Sequence, residues 1–257
     1  MTSLMIWISD LGHGPLYLMI AISCMVWGSI DRIRKPQGAH EVFWMGWRLT
    51  SFWVIGVLLN TCLKYAIRAP RPWWTHADLA PLHPHPAGGF GMPSGHTQSA
   101  VGILLGLWCL GRLIRVHRAQ RGEPSSTSPF WFTGLGILWV VGIAATRVGL
   151  HAHSIAQVCV GGIVGLAWAG VILWCERSSR GVSSLVCLTV ILTSAGGWLT
   201  QYTPELDIIW TQRIQMHHVD PPSAPSLTRI LIAGGVALVW AGLLRLKRSP
   251  QAQADDA

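Results

Sequence analysis

The chain has 257 residues, 51% of them hydrophobic and only 12% charged, with 15 tryptophans and a mean hydropathy of +0.41. Soluble domains carry about 25% charged residues, so the composition excludes an ordinary soluble domain and implies a polytopic membrane protein. The net charge of +8 is spread in short basic runs between apolar segments, the pattern of topology determinants rather than of a nucleic-acid-binding patch.

The first ten residues, MTSLMIWISD, contain no Lys or Arg and so lack the basic start of a signal peptide. A bilayer core about 30 Å thick needs roughly 20 mostly apolar residues per helix. Stretches 11–30, 42–66, 96–114, 130–146, 154–175, 184–200 and 226–244 qualify, the sixth being the weakest. The expected fold is therefore all-α, a polytopic transmembrane helical bundle of about six to seven spans. Arg32, Arg34 and Lys35 follow the first span, and Arg112, Arg115, Arg118 and Arg121 the third. Arg177 and Arg180 follow the fifth, and Arg245, Lys247 and Arg248 the last. These twelve of the 19 basic residues share one side if the N-terminus is extracytoplasmic, which makes that side cytoplasmic.

Other basic residues break the trend. Arg48 lies inside the second span, facing the bundle or snorkelling, while Arg213 and Arg229 belong to the region around the last external loop. Lys64, Arg68, Arg71 and Arg147 fall at the opposite helix ends. A charge at the bilayer centre costs about 2.5–3.5 kcal/mol, so ions at the membrane are functional candidates by default.

Two long external loops remain. In 67–95, His76, His83 and His85 suggest a zinc site, but the Pro-broken chain fixes no ligand geometry, and a solvated loop is expected. The same holds for His217, His218 and Asp220 in 201–225. Trp73 and Trp74 suit stacking on a substrate or, as is commoner, interfacial anchoring. Cys24, Cys62, Cys109, Cys159, Cys175 and Cys187 lie in apolar segments without metal-type spacing and read as packing residues. The tail 251–257 is polar and expected to be disordered. Residues 1–175 are expected to form a catalytic transmembrane core, and 176–257 a C-terminal hairpin with loop 201–225 and a cytoplasmic tail.

Three segments meet on the external side: KYAIRAPRP (64–72), PSGHT (93–97) and TRVGLHAHSIAQ (146–157). Lys64, Arg71 and Arg147 are cations, and Arg can grip a phosphate with two parallel hydrogen bonds. Ser94 and Gly95 open a helix, where unpaired N–H groups favour an anion and glycine lets backbone approach it. His96 and one of His151 or His153 stand beside the same pocket; one can attack phosphorus while the other protonates the leaving oxygen. The arginines supply the charge stabilisation, so the scheme requires neither metal nor cofactor.

Lys64-x6-Arg71-Pro72, Pro93-Ser94-Gly95-His96 and Arg147-x5-His153 resemble the three signature motifs of the type 2 phosphatidic acid phosphatase (PAP2) superfamily. The RPWW run at 71–74 and the external N-terminus are most similar to its glucose-6-phosphatase-like branch. The resemblance implies phosphate-binding roles for Lys64, Arg71, Arg147, Ser94 and Gly95. It implies that His96 is the general acid and His153 the nucleophile of a phosphohistidine intermediate. Thr146 stands where the family usually has Ser, and Gln157 where it has an Asp four residues after the nucleophile.

Helical geometry also selects His153. With a helix starting near 153, His153 and Gln157 share a face at i and i+4, whereas the i+4 residue of His151 is Ile155. Gln157 keeps an acceptor for the imidazole but loses the charge of a carboxylate. The expected outcomes are a slower enzyme, an acid supplied by Asp78, Glu205, Asp207 or Asp220, or a site that binds without turnover.

The expected function is an integral-membrane phosphatase acting on a lipid phosphate or diphosphate at the external face of a bacterial cytoplasmic membrane. An isoprenoid diphosphate, phosphatidylglycerol phosphate or phosphatidic acid would suit the site, and a soluble sugar phosphate is an open alternative. A phosphotransferase using the same intermediate, or a non-catalytic phospholipid binder or transporter, are the alternative functions.

Overall fold

The computed structural model describes residues 2–12, 14–34, 39–83, 89–120, 130–177, 181–199, 205–219, 221–222 and 226–247. His85, Asp220, the tail and the basic residues Lys35, Arg121, Arg180 and Arg248 lie outside them, as does the side chain of Cys187. Among the described residues the fold is helical: α1 (Thr2–Leu11), α2 (Gly14–Arg34), α3 (Ala39–Ile67), α4 (Pro72–Thr75), α5 (Gly95–Gln120), α6 (Phe130–Gly149), α7 (Ile155–Arg177), α8 (Gly181–Leu199), α9 (Ile208–Met216) and α10 (Leu227–Lys247).

Among the described residues five segments are long and apolar enough to cross a membrane: Glu41–Thr75, Gly95–Val116, Phe130–Gly149, Ile155–Arg177 and Leu227–Arg245. Thr2–Leu11 and Gly14–Ile30, bent by 41°, make a sixth if the pair is counted as one span. The expected 184–200 span is helical within α8, but its described apolar part, Val190–Leu199, is shorter than a crossing needs. The chain is thus an integral membrane protein built as a helical bundle.

In lipid the hydrophobic effect does not drive helices together, so close packing and interhelical hydrogen bonds must. Tyr17, Phe52, Trp53, Leu105, Trp168 and Trp240 fill a core shared by α2, α3, α5, α7 and α10. Two of its indoles donate across helices, Trp53 Nε1 to the Ser99 carbonyl and Trp168 Nε1 to the Phe52 carbonyl, each at 3.0 Å. Arg48 faces the bundle and pairs with Glu176 on α7, its Nε lying 2.8 and 2.9 Å from the two carboxylate oxygens. Gly161 brings α7 against the turn before α5: a Cβ there would stand 2.5 Å from the Ser94 carbonyl oxygen.

A second cluster lies at the end of the bundle where α3 finishes, and there Tyr65, Trp73, Trp74, Phe90, Ile214 and Val219 pack together. Trp73 and Trp74 are almost fully buried in it, so they are packing residues of this layer, neither stacking platforms nor interfacial anchors. Its roof is α9, in the loop expected to be plain. Asp207 caps α9 by accepting from Ile209 N at 2.8 Å, and Arg213 ties it down by donating to the Ala77 carbonyl at 3.1 Å. His217 packs edge-on against Trp73.

Candidate active site

The third segment is shaped by how α6 ends and α7 begins. Ala152 N and His153 N both donate to the Arg147 carbonyl at 3.1 Å, folding the chain back over the helix end. The reversal passes through His151, whose φ of 57° is left-handed, a region in which His is enriched among non-glycine residues. Ser154 then starts α7 with a reciprocal cap: Gln157 N donates to Ser154 Oγ at 3.3 Å and Ser154 N to Gln157 Oε1 at 3.1 Å, the capping box of a Ser-x-x-Gln sequence. His153 is thereby set beside Arg147, while the His151 ring turns away to the Ala80 carbonyl at 3.0 Å.

The first segment ends α3 at Arg68, whose φ is 53° and whose N–H donates to the Lys64 carbonyl at 2.9 Å. The Arg68 side chain is exposed and its Nε donates to the Tyr65 carbonyl, so it takes no part in the cation cluster. Arg71 is 1% exposed. Its Nε donates to the Gly89 carbonyl and its Nη1 to the Ala152 carbonyl, both at 2.9 Å, and Nη1 lies 3.4 Å from His153 Nε2.

In the second segment Gly91 N donates to the Ala69 carbonyl at 2.7 Å, and Ser94 N donates to the Gln157 carbonyl at 3.1 Å. Ser94 is fully buried and its Oγ accepts from Thr97 Oγ1 at 3.1 Å. With its N–H committed to Gln157, what Ser94 can offer an anion is its hydroxyl proton. Gly95 and His96 form the first turn of α5. Beneath them Asn60 Nδ2 donates to Gln98 Oε1 at 2.7 Å, and Gln98 Nε2 to the Gly56 carbonyl at 2.9 Å, locking α3 to α5.

His153 is 2% exposed. Its Nδ1 lies 2.8 Å from the Gly91 carbonyl oxygen and 3.2 Å from Gln157 Oε1. Both partners are acceptors and Arg71 is a donor only, so the proton sits on Nδ1 and Nε2 keeps its lone pair. Burial, and then the charges of Arg71, Arg147, Lys64 and His96, hold the imidazole well below its usual pKa. All four partners named from the sequence thus act on this one ring, and His151 is absent from the group.

Several residues around the candidate site escaped the sequence reading. Arg147 Nη1 donates to Ser9 Oγ at 2.6 Å, and Ser9, on α1, is fully buried. Asp10 also acts on Arg147 electrostatically, and it pairs with His83 at 3.0 Å. A Cβ on Gly12 would lie 3.2 Å from the His96 ring, so the end of α1 walls both His96 and Arg147. Nothing local marks these contacts. By contrast, the Ser154-x-x-Gln157 cap is a readable signal. Among the described residues none of the expected substitute acids partners His153: Asp207 caps α9, and Asp78 and Glu205 are not among its partners; Asp220 lies outside the described residues. Among the described residues no group of three or more His, Cys, Asp or Glu is arranged to hold a metal. The Gly91 carbonyl, a backbone group, was likewise invisible in the sequence.

A cavity of about 470 Å³ begins at Gly95 and His96 and runs between α2, α3, α5 and α10. Leu18, Phe52, Trp53 and Val57 give it an apolar wall, with Asn60 and Arg229 among its polar groups. Arg71, Arg147 and His153 do not line it.

The sequence model of the PAP2 superfamily matches residues 45–180, just over half of the chain. A curated relative, the glucose-6-phosphatase catalytic subunit 1 of Haplochromis nubilus, is 28% identical over 209 residues, covering 71% of this chain. The chain spans 58% of that relative's length. No solved structure matches the chain significantly.

Proposed function

The chain belongs to the PAP2 superfamily, and from that premise we propose that it is a membrane phosphatase working through a phosphohistidine on His153. The observation that carries the reading is the His153 ring itself: Nδ1–H is given to the Gly91 carbonyl and Nε2 faces Arg71. Lys64, Arg71 and Arg147, with the Ser94 hydroxyl and the Gly95 turn, bind the phosphoryl group and hold the charge that spreads over its oxygens. The Nε2 lone pair attacks phosphorus as the bond to the leaving oxygen breaks, and His96 gives that oxygen its proton. Water then attacks the phosphohistidine, passes its proton to His96, and the P–N bond breaks to release phosphate.

The substrate is an amphiphile, a lipid phosphate or diphosphate cleaved at the external face. The apolar cavity that opens from His96 supports this, because the general acid must stand next to the leaving group. A soluble sugar phosphate is the second reading, favoured by the likeness to a glucose-6-phosphatase catalytic subunit. The basic runs support a site on the outer side of the membrane, read here as a bacterial cytoplasmic membrane, and the packing of α8 and α10 on α3 supports a C-terminal hairpin (176–257) on a core of 1–175.

Phosphate release by the purified protein in chelator tests both readings, with farnesyl diphosphate, phosphatidylglycerol phosphate, phosphatidic acid and glucose 6-phosphate as substrates. Release from a lipid substrate is expected. Release from glucose 6-phosphate alone would replace the lipid reading, and phosphate transfer to an added alcohol in preference to water would make it a phosphotransferase. No release from any of them would leave a phospholipid binder.

A further inference from the structure

We propose that Gln157 is a positioning residue whose amide N–H clasps the Pro70 carbonyl, tying the Arg71 segment to the His153 turn, and that a carboxylate cannot replace it. The inference rests on the phosphatase reading above. Gln157 Nε2 donates to the Pro70 carbonyl at 2.6 Å, while Oε1 accepts from Ser154 N at 3.1 Å and lies 3.2 Å from His153 Nδ1. Its backbone carbonyl accepts from Ser94 N at 3.1 Å. One residue, 4% exposed, therefore joins all three phosphate-binding segments.

Space has been made for it. A Cβ on Gly91 would stand 2.5, 2.6 and 2.7 Å from the Gln157 Nε2, Oε1 and Cδ atoms, so only glycine at 91 admits the amide. The same Gly91 offers its carbonyl to His153 Nδ1 at 2.8 Å, closer than Gln157 does. The imidazole tautomer is consequently set by backbone and does not need an acid at 157. What the side chain adds is a donor. Pro70 precedes Arg71, so the clasp fixes the peptide from which the phosphate-facing guanidinium extends. Glutamate would match glutamine in length but set oxygen against the Pro70 oxygen with no proton between them. Aspartate would be one methylene too short to reach.

The rival idea, that Gln157 marks a site deficient in negative charge, predicts the opposite sign in one experiment. Wild type, Q157E, Q157D and Q157A are compared for phosphate release between pH 5 and 8, and for orthovanadate affinity at pH 7.5. We expect Q157E to be about 10- to 100-fold slower at pH 7.5, the scale of a small misplacement of binding groups, and to bind orthovanadate more weakly. On acidification its rate relative to wild type should climb, because the new carboxyl gains an O–H that can serve Pro70. Q157D should show no such recovery. Q157E or Q157D matching or exceeding wild type at pH 7.5, or a relative rate that falls with acid, would overturn the clasp. So would wild-type turnover and orthovanadate affinity in Q157A, which decides the matter if Q157E fails to fold. A wild type that releases no phosphate would instead remove the phosphatase reading, with the orthovanadate affinities still testing the clasp.

Discussion

His151 sits at a φ of 57° with its ring bonded to Ala80, whereas His153 presents Nε2 to Arg71 from a nearly sealed site. The backbone has thus assigned one imidazole to a chain reversal and the other to the pocket. His153→Ala should lower turnover by roughly 10³-fold or more, the usual cost of removing a nucleophile. His151→Gly, which suits the left-handed backbone, should stay within a few-fold of wild type; steady-state rates on one substrate check both. The held-down pKa of His153 adds a pH effect. Below the unfolded value of about 6.5, the unfolded chain takes up a proton that the folded site refuses. Stability is therefore full above that pH and erodes as pH falls through the window beneath it. A bound phosphate analogue offsets the cations that oppose the proton. The thermal midpoint should drop from pH 7 to pH 5, and orthovanadate should recover more of it at pH 5 than at pH 7.

At the scale of elements, the three motif segments were legible because their register with predicted helix ends put Lys64, Arg71, His96, Arg147 and His153 on one side. Residue type and spacing were enough for that. They were not enough for α1, whose Ser9 meets Arg147 across 138 positions of sequence, or for Asn60 and Gln98, which look like isolated polar residues in apolar helices. Such contacts depend on tertiary packing and leave no periodicity. Gln157 was legible as an acceptor beside His153; its donor contact was not, since its place in a family pattern says nothing of the Pro70 carbonyl opposite it. The α1 contact makes a prediction of its own. Hydrogen bonds to charged groups contribute about 1.5–3 kcal/mol, so Ser9→Ala should weaken orthovanadate binding and raise KM by about 10-fold or more. An unchanged KM would mean that Arg147 is held without α1.

Across the whole molecule, His96 lines the apolar cavity, whereas Arg71, Arg147 and His153 do not. Val57 lines the cavity from α3 and lies outside the three motif segments in sequence. Filling the wall with Val57→Trp should reduce kcat/KM for a long-chain diphosphate about 10-fold while sparing a short-chain analogue, as overpacking of an occupied space costs about 1–3 kcal/mol. Equal losses on both chains would show that the cavity does not hold the chain.

On the lipid-phosphate reading proposed above, that division would give the two products different exits. Inorganic phosphate would depart to water, where it is diluted and competes for the site only at high concentration. The dephosphorylated alcohol would depart through the cavity into lipid, a confined two-dimensional reservoir from which it can re-enter. Turnover in a bilayer should accordingly be throttled by the alcohol remaining in the membrane, and a detergent micelle that carries it off should relieve the enzyme.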